Sequence, residues 1–135
     1  IEFAKDIRID EFQVFYNDKY GRNLIVKDHN GWEALVMTWK KGIKTAIHGH
    51  PRFAGYKVIA GKIFVEVFEK KENRLKKILE YTAAPFESFY SSSEVIGFEN
   101  HIHRITCLTD TAHTLHIYSD DALKGKLYNE SDIIK

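Results

Sequence analysis

The chain is poor in residues that staple or stiffen a backbone, with one cysteine, Cys107, and two prolines. A single cysteine excludes an internal disulfide and fits a reducing compartment, so a cytoplasmic setting is expected. No apolar run approaches the roughly 20 residues of a membrane-spanning helix, and no stretch has the pattern of a signal peptide. A surplus of charge is missing too: 20 Lys and Arg stand against 19 Asp and Glu. That balance gives no electrostatic reason for nucleic acid or an anionic membrane as partner. Linkers, repeats, low-complexity segments and a convincing long helix are likewise lacking.

What remains is 135 residues, 44% hydrophobic and 13% aromatic, enough for one globular domain over 1–135 with one core. Short β-prone runs recur at Phe12–Tyr16, Leu24–Lys27, Trp32–Lys40, Gly55–Ala60, Ile63–Phe68, Leu75–Tyr81, Glu94–Phe98, His101–Leu108 and Thr114–Ser119. Ile63–Phe68 is apolar on both faces except at Glu66 and reads as a central strand. Turns are expected at Asn17–Lys19, Asp28–Gly31, Lys41–Gly42 and Gly61–Lys62, with a charged loop over Lys70–Arg74. Ser91–Ser93 leads into the Glu94 run, and the tail from Asp120 suits a helical turn or an edge strand. Short strands with turn signals roughly every 8–12 residues mark an all-β sandwich or barrel.

Histidine is the residue in excess, with seven in the chain. His48 and His50 are at i and i+2, as are His101 and His103. On a strand that spacing puts both rings on one face, and imidazoles suit Fe, Ni, Cu and Zn better than Mg or Ca. Taken singly, these residues have plainer explanations. The pair fits a solvated strand face, Arg22 a surface cation, His103 a hydrogen-bonded histidine, His116 a satisfied core histidine, and Tyr118 simple packing. His29 in a turn and His113 at a strand start carry no functional reading. Cys107 is expected to be a small buried hydrophobe, and Phe86, Phe89 and Tyr90 core or rim.

The spacing Gly42-x5-His48-x-His50-x3-Ala54-x6-Gly61 resembles the first motif of the cupins, with alanine at position 54 where a metal-binding glutamate usually stands. That resemblance implies a single-domain cupin β-barrel of jelly-roll type, its core at about 20–119. It also implies a third histidine from a later strand, for which His103 is the candidate. Four blocks make the likeness narrower: Tyr20–Leu24, Trp39 and Gly42 leading into Ile47–His50, Ile102–Arg104, and Leu115–Ser119. In that order they resemble the cysteine dioxygenase family.

The resemblance implies Fe(II) held by His48, His50 and His103. Arg22, helped by Tyr20, would hold a substrate carboxylate. Tyr118 would hydrogen-bond near substrate and oxygen, and His116 would orient the Tyr118 hydroxyl. The implied reaction converts L-cysteine and O2 to cysteine sulfinate in a monomer or homodimer. Alternatives are a dioxygenase for another small thiol such as 3-mercaptopropionate, and a non-catalytic sensor cupin. Three departures stand out. Gly55 occupies the position of a cysteine that is cross-linked to the tyrosine in animal members. Asp120–Asp121 replaces a Pro-Pro after Ser119. His101 shares a face with His103 and is a rival ligand.

Overall fold

A computed structural model describes residues 20–93, 97 and 99–135. The expected run Phe12–Tyr16, the turn Asn17–Lys19 and most of the Glu94–Phe98 run lie outside the described residues. The strands are β1 (Gly21–Lys27), β2 (Glu33–Lys40), β3 (Ile47–His50), β4 (Phe53–Ala60), β5 (Ile63–Lys71), β6 (Arg74–Ala83), β7 (Ser88–Ser92), β8 (Asn100–Cys107), β9 (Thr111–Tyr118) and β10 (Leu127–Tyr128). They form two antiparallel five-stranded sheets, β1-β2-β9-β4-β7 and β10-β3-β8-β5-β6. No α-helix occurs among the described residues.

The main core fills the space between the sheets. Leu35, Met37, Trp39, Tyr56 and Val58 of one sheet meet Ile63, Val65, Ile105 and Cys107 of the other. Cys107 is a buried free thiol, as its composition-based reading expects. A second cluster, Ile47, Phe68, Leu75 and Ile102, lies behind β3 and β8, where Tyr128 and Ile133 of the C-terminal segment cover it. β3 and β8 are therefore held from both sides, which keeps the residues they carry in fixed positions.

Local chemistry sets the connections. In the β1–β2 hairpin, Asp28 Oδ1 accepts from the Asn30 and Trp32 amides at 2.9 Å each. Gly31 takes φ +92°, a conformation glycine adopts without strain. The tail resolves as both expected forms, short 3-10 turns at Ala122–Lys124 and Glu130–Asp132 with β10 between them. Gly125 lets it cross β3 closely: a Cβ there would lie 2.2 Å from the Gly49 carbonyl oxygen.

Several boundaries differ from the sequence reading. β1 begins at Gly21, so Arg22 sits within a strand rather than before one. The charged loop at 70–74 shrinks to Glu72–Asn73, because β5 and β6 pair as far as Lys71 and Arg74. Charge did not interrupt pairing there because these side chains point to solvent. The serines at 91 and 92 belong to β7.

Candidate metal centre

Two strands of one sheet bring the histidines together. His48 pairs with His103 across β3 and β8, while His50 pairs with Asn100. Two residues advance on β3 against three on β8, so β8 carries a bulge. His101 occupies it with φ +47°, an uncommon conformation for a non-glycine residue. Asn100 anchors the start of β8: its side-chain amide donates to the carbonyls of Pro51 and Arg52 at 3.0 Å each.

His48, His50 and His103 each offer a ring nitrogen, and those atoms lie within 4.8 Å of one another. His48 Nδ1 bonds the Ala46 carbonyl at 2.8 Å. His50 Nδ1 bonds the His101 carbonyl at 2.8 Å. In each ring the bond to a carbonyl fixes Nδ1 as the donor and frees Nε2 to ligate. Buried His50 Nε2 and both ring nitrogens of His103 have no hydrogen-bond partner. Burial lowers the pKa of all three rings, His50 and His103 well below the ordinary value, with neighbouring histidines adding to the shift for those two. Neutral imidazoles with unpartnered buried nitrogens are the form a metal ion requires, so these residues fit one. Among the described residues no carboxylate joins the group, and Ala54 is buried among the core residues.

A hydrogen-bonded row stands beside the trio. Trp39 Nε1–H donates to Thr114 Oγ1 at 2.9 Å. Thr114 Oγ1 is 2.7 Å from His116 Nε2, and His116 Nδ1 is 2.8 Å from the Tyr118 hydroxyl. Tyr118 stacks on His50 with ring centroids 5.5 Å apart. Burial pushes the Tyr118 phenol up and holds His116 down at about 3, so both are neutral near pH 7. The i, i+2 spacing of His116 and Tyr118 therefore does place them on one inner face.

Tyr20 and Arg22 flank this row. Tyr20 packs on Trp39, centroids 4.9 Å apart, and burial raises its pKa. The Arg22 side chain keeps 26% exposure, and its Nη2 lies 3.8 Å from Oε1 of Glu33, whose side chain is only 6% exposed. Glu33 Oε1 also accepts from the Ala122 amide at 3.0 Å, tying the 3-10 turn to this corner.

Glu33 and Tyr56 escaped the sequence reading. Glu33 was legible, since Leu35, Met37 and Trp39 at alternate positions of β2 face the core and Glu33 continues their phase. Tyr56 stacks on His116 at 5.7 Å, lies edge-on to His103 at 6.0 Å, and hydrogen-bonds Tyr81. Nothing in an apolar strand distinguishes it from core. His101 stays outside the trio, although its ring is 4.8 Å from that of His103 and 5.8 Å from that of His50. At Gly55 a Cβ would meet Phe53 and Tyr90, whereas Ala54 is the residue opposite Tyr118 in register.

The model of the family described as cysteine dioxygenase type I matches residues 4–131. Solved structures share the fold. A cupin-2 domain protein from Rhodospirillum rubrum is 15% identical with TM-score 0.62, covering 84% of this chain and 68% of its own. A double-stranded β-helix protein from Klebsiella pneumoniae is 13% identical with TM-score 0.64, covering 92% and 96%. A recombinant oxalate oxidase is 13% identical with TM-score 0.60, covering 78% and 53%. At these identities the likenesses establish a cupin-type double-stranded β-helix. No curated protein matches the chain in sequence.

Proposed function

The chain belongs to the cysteine dioxygenase type I family, and from that premise we propose that it is an Fe(II)-dependent thiol dioxygenase converting L-cysteine and O2 to cysteine sulfinate. The carrying observation is a ligand group made of imidazoles alone. Most non-haem iron oxygenases use two histidines and a carboxylate. Three neutral ligands leave the ion its full charge, which suits a substrate that brings a thiolate. When bound, Fe(II) supplies the redox chemistry that adds both oxygen atoms to the thiolate sulfur.

The residues around the trio position the substrate. Arg22 holds the carboxylate in a charge-assisted hydrogen bond, and Tyr20 lines the same side. The row from Trp39 has a consistent polarity: Trp39 donates to Thr114, Thr114 donates to His116 Nε2, and His116 Nδ1–H donates to Tyr118. The Tyr118 hydroxyl proton is then free for the bound substrate. Burial of Tyr118 and His116 excludes water and strengthens these bonds.

Glu33 favours a second reading. A carboxylate already faces Arg22, so a thiol lacking a carboxylate, such as cysteamine, competes for the assignment. The test is O2 uptake by Fe(II)-loaded protein with cysteine, 3-mercaptopropionate and cysteamine side by side. Cysteine is expected to give the highest kcat/KM. A larger value for another thiol reassigns the substrate, and no uptake with any of them, alongside tight metal binding, leaves a sensor.

A further inference from the structure

We propose that His101 is the positioning residue of the metal centre, supporting His50 through its backbone and His103 through its ring. The inference rests on the three-histidine centre and is independent of which thiol is oxidised.

Metal-bound histidines almost always donate their second ring N–H to a partner, which fixes the ring and raises its basicity. Two of the three histidines meet that requirement: His48 bonds the Ala46 carbonyl and His50 the His101 carbonyl. His103 does not, since both of its ring nitrogens are buried and unpartnered. Ligation would satisfy one nitrogen and leave the other as a buried orphan, a costly state.

His101 Nε2 is buried and unpartnered as well. Its ring centroid lies 4.8 Å from that of His103, with the planes at 75°. Two imidazoles joined nitrogen to nitrogen at about 2.9 Å have centroids roughly 5 Å apart, so the rings already stand at hydrogen-bonding separation. A small rotation brings His103 N–H onto His101 Nε2 and satisfies both orphans. The His48 and His50 rings stand as near to His103, at 4.9 and 4.3 Å, but each has Nδ1 committed to a carbonyl and Nε2 to the metal. Tyr56 is farther off at 6.0 Å, with its hydroxyl engaged by Tyr81.

The backbone agrees. A non-glycine residue at φ +47° is strained, and strain kept at a ligand site points to function. The bulge places the His101 carbonyl on His50 and its imidazole beside His103, so one residue serves two ligands. Glycine would hold that backbone with less strain, so strain alone gives no reason for histidine there.

The substitution His101→Gly separates the two roles, because it keeps the carbonyl and relaxes the backbone while deleting the ring. Zn(II) affinity is measured by chelator competition, with circular dichroism and thermal unfolding of the metal-free proteins alongside. The metal-free His101→Gly protein is expected to fold and unfold at the wild-type temperature or above. Its Zn(II) affinity is expected to fall roughly 10- to 100-fold. His101→Gln, whose amide reaches as far as Nε2, should recover most of that loss, and the Co(II) absorption spectrum should keep the wild-type coordination number in both variants. Wild-type Zn(II) affinity in a folded His101→Gly protein overturns the proposal. So does a Co(II) spectrum showing one nitrogen ligand fewer, which would make His101 a ligand itself. If His101→Gly fails to fold, His101→Gln and His101→Met decide as a pair of equal length with and without an acceptor: affinity kept by Gln and lost by Met upholds the role, and equal affinity in the two overturns it.

Discussion

β8 treats two adjacent residues in opposite ways. His103 points inward, and neither of its ring nitrogens has a hydrogen-bond partner. Arg104 points outward and is fully engaged: Nε and Nη2 donate to the two Glu66 oxygens at 2.9 and 3.1 Å, and Nη1 pairs with Glu130. Lys77 completes the outer network at 2.7 Å from Glu66. A buried polar group without a partner costs stability, whereas a satisfied network adds rigidity. The outer face is thus finished by the protein alone, and the inner face is left for something the chain does not contain. On β8, unsatisfied nitrogens, more than histidine count, mark the functional side.

The sharpest way to break this contrast is to remove an inner ligand. His103→Ala should abolish metal binding and, with it, oxygenase activity. A ligand at about 100 times its Kd stabilises the folded state by about 2.7 kcal/mol. Adding Zn(II) should therefore raise the unfolding midpoint of the wild type and leave that of His103→Ala unmoved. A variant that still gains midpoint on metal addition would place the metal elsewhere.

Next in size is Arg22→Ala. Removing one partner of a desolvated charge pair costs roughly 2–5 kcal/mol. At tenfold per about 1.4 kcal/mol, kcat/KM for cysteine should fall between roughly 30-fold and a few thousand-fold. Metal content should stay at the wild-type level, and turnover of cysteamine, which has no carboxylate, should change far less. Equal losses with both thiols would show that Arg22 supports the fold of the site and does not select carboxylates.

The outer face should respond to pH and not to substrate. Its hydrogen bonds to Arg104, with Lys77 behind, hold the Glu66 carboxyl down at about 2. A depressed carboxyl contributes stability above its unfolded pKa of 4.5 and loses that contribution as pH falls through about 2. Screened by solvent through its exposed partners Lys77 and Glu130, the contribution is on the order of 1–2 kcal/mol. Urea unfolding between pH 5 and pH 2 should show wild-type stability falling more steeply than that of Glu66→Gln. Activity per bound metal at pH 7 should be alike in the two proteins. A loss of turnover in Glu66→Gln would mean the two faces are coupled through β8.

The all-β class and the inner faces of β3 and β9 were legible because side chains alternate along a strand, and the β1–β2 turn because Asn30–Gly31 tolerates positive φ. That periodicity put His48 with His50 and His116 with Tyr118 before any pairing was known. Which strand lies opposite which was not legible, and the partners of Arg22 and His103 depend on it. Glu33 reaches the Arg22 corner only because β1 and β9 flank β2. His101 appeared as a rival ligand because alternation puts it on the face of His103. The bulge, which hydrophobic patterning does not encode, turns it into a neighbour of the trio instead.

The smallest expected effect is a mass difference of zero. The family resemblance of the sequence implies that position 55 corresponds to the cysteine that animal members cross-link to the tyrosine, and here it is glycine. The register sharpens that point: Gly55 pairs with Ile117, and a Cβ on it would meet the Phe53 ring at 3.3 Å and Tyr90 Cβ at 3.4 Å. Opposite Tyr118 stands Ala54, which also lacks a thiol. Cys107 is the last residue of β8, its thiol donating to the Thr109 carbonyl at 3.2 Å, and burial raises its pKa away from the reactive thiolate. Tyr118 should therefore remain an ordinary tyrosine, positioned by His116 and by stacking on His50 rather than by a covalent bond. Intact mass after turnover with Fe(II), cysteine and O2 should equal the sequence mass. A deficit of two hydrogens, mapped to Tyr118 by peptide fragmentation, would show that the ring is modified, with Cys107 as the sole available thiol. In the expected case, Tyr118→Phe should lower kcat while His116→Ala lowers it by a similar factor, and the double variant should be no worse than either. Two residues joined by one hydrogen bond act as a unit, so additive losses would separate their roles.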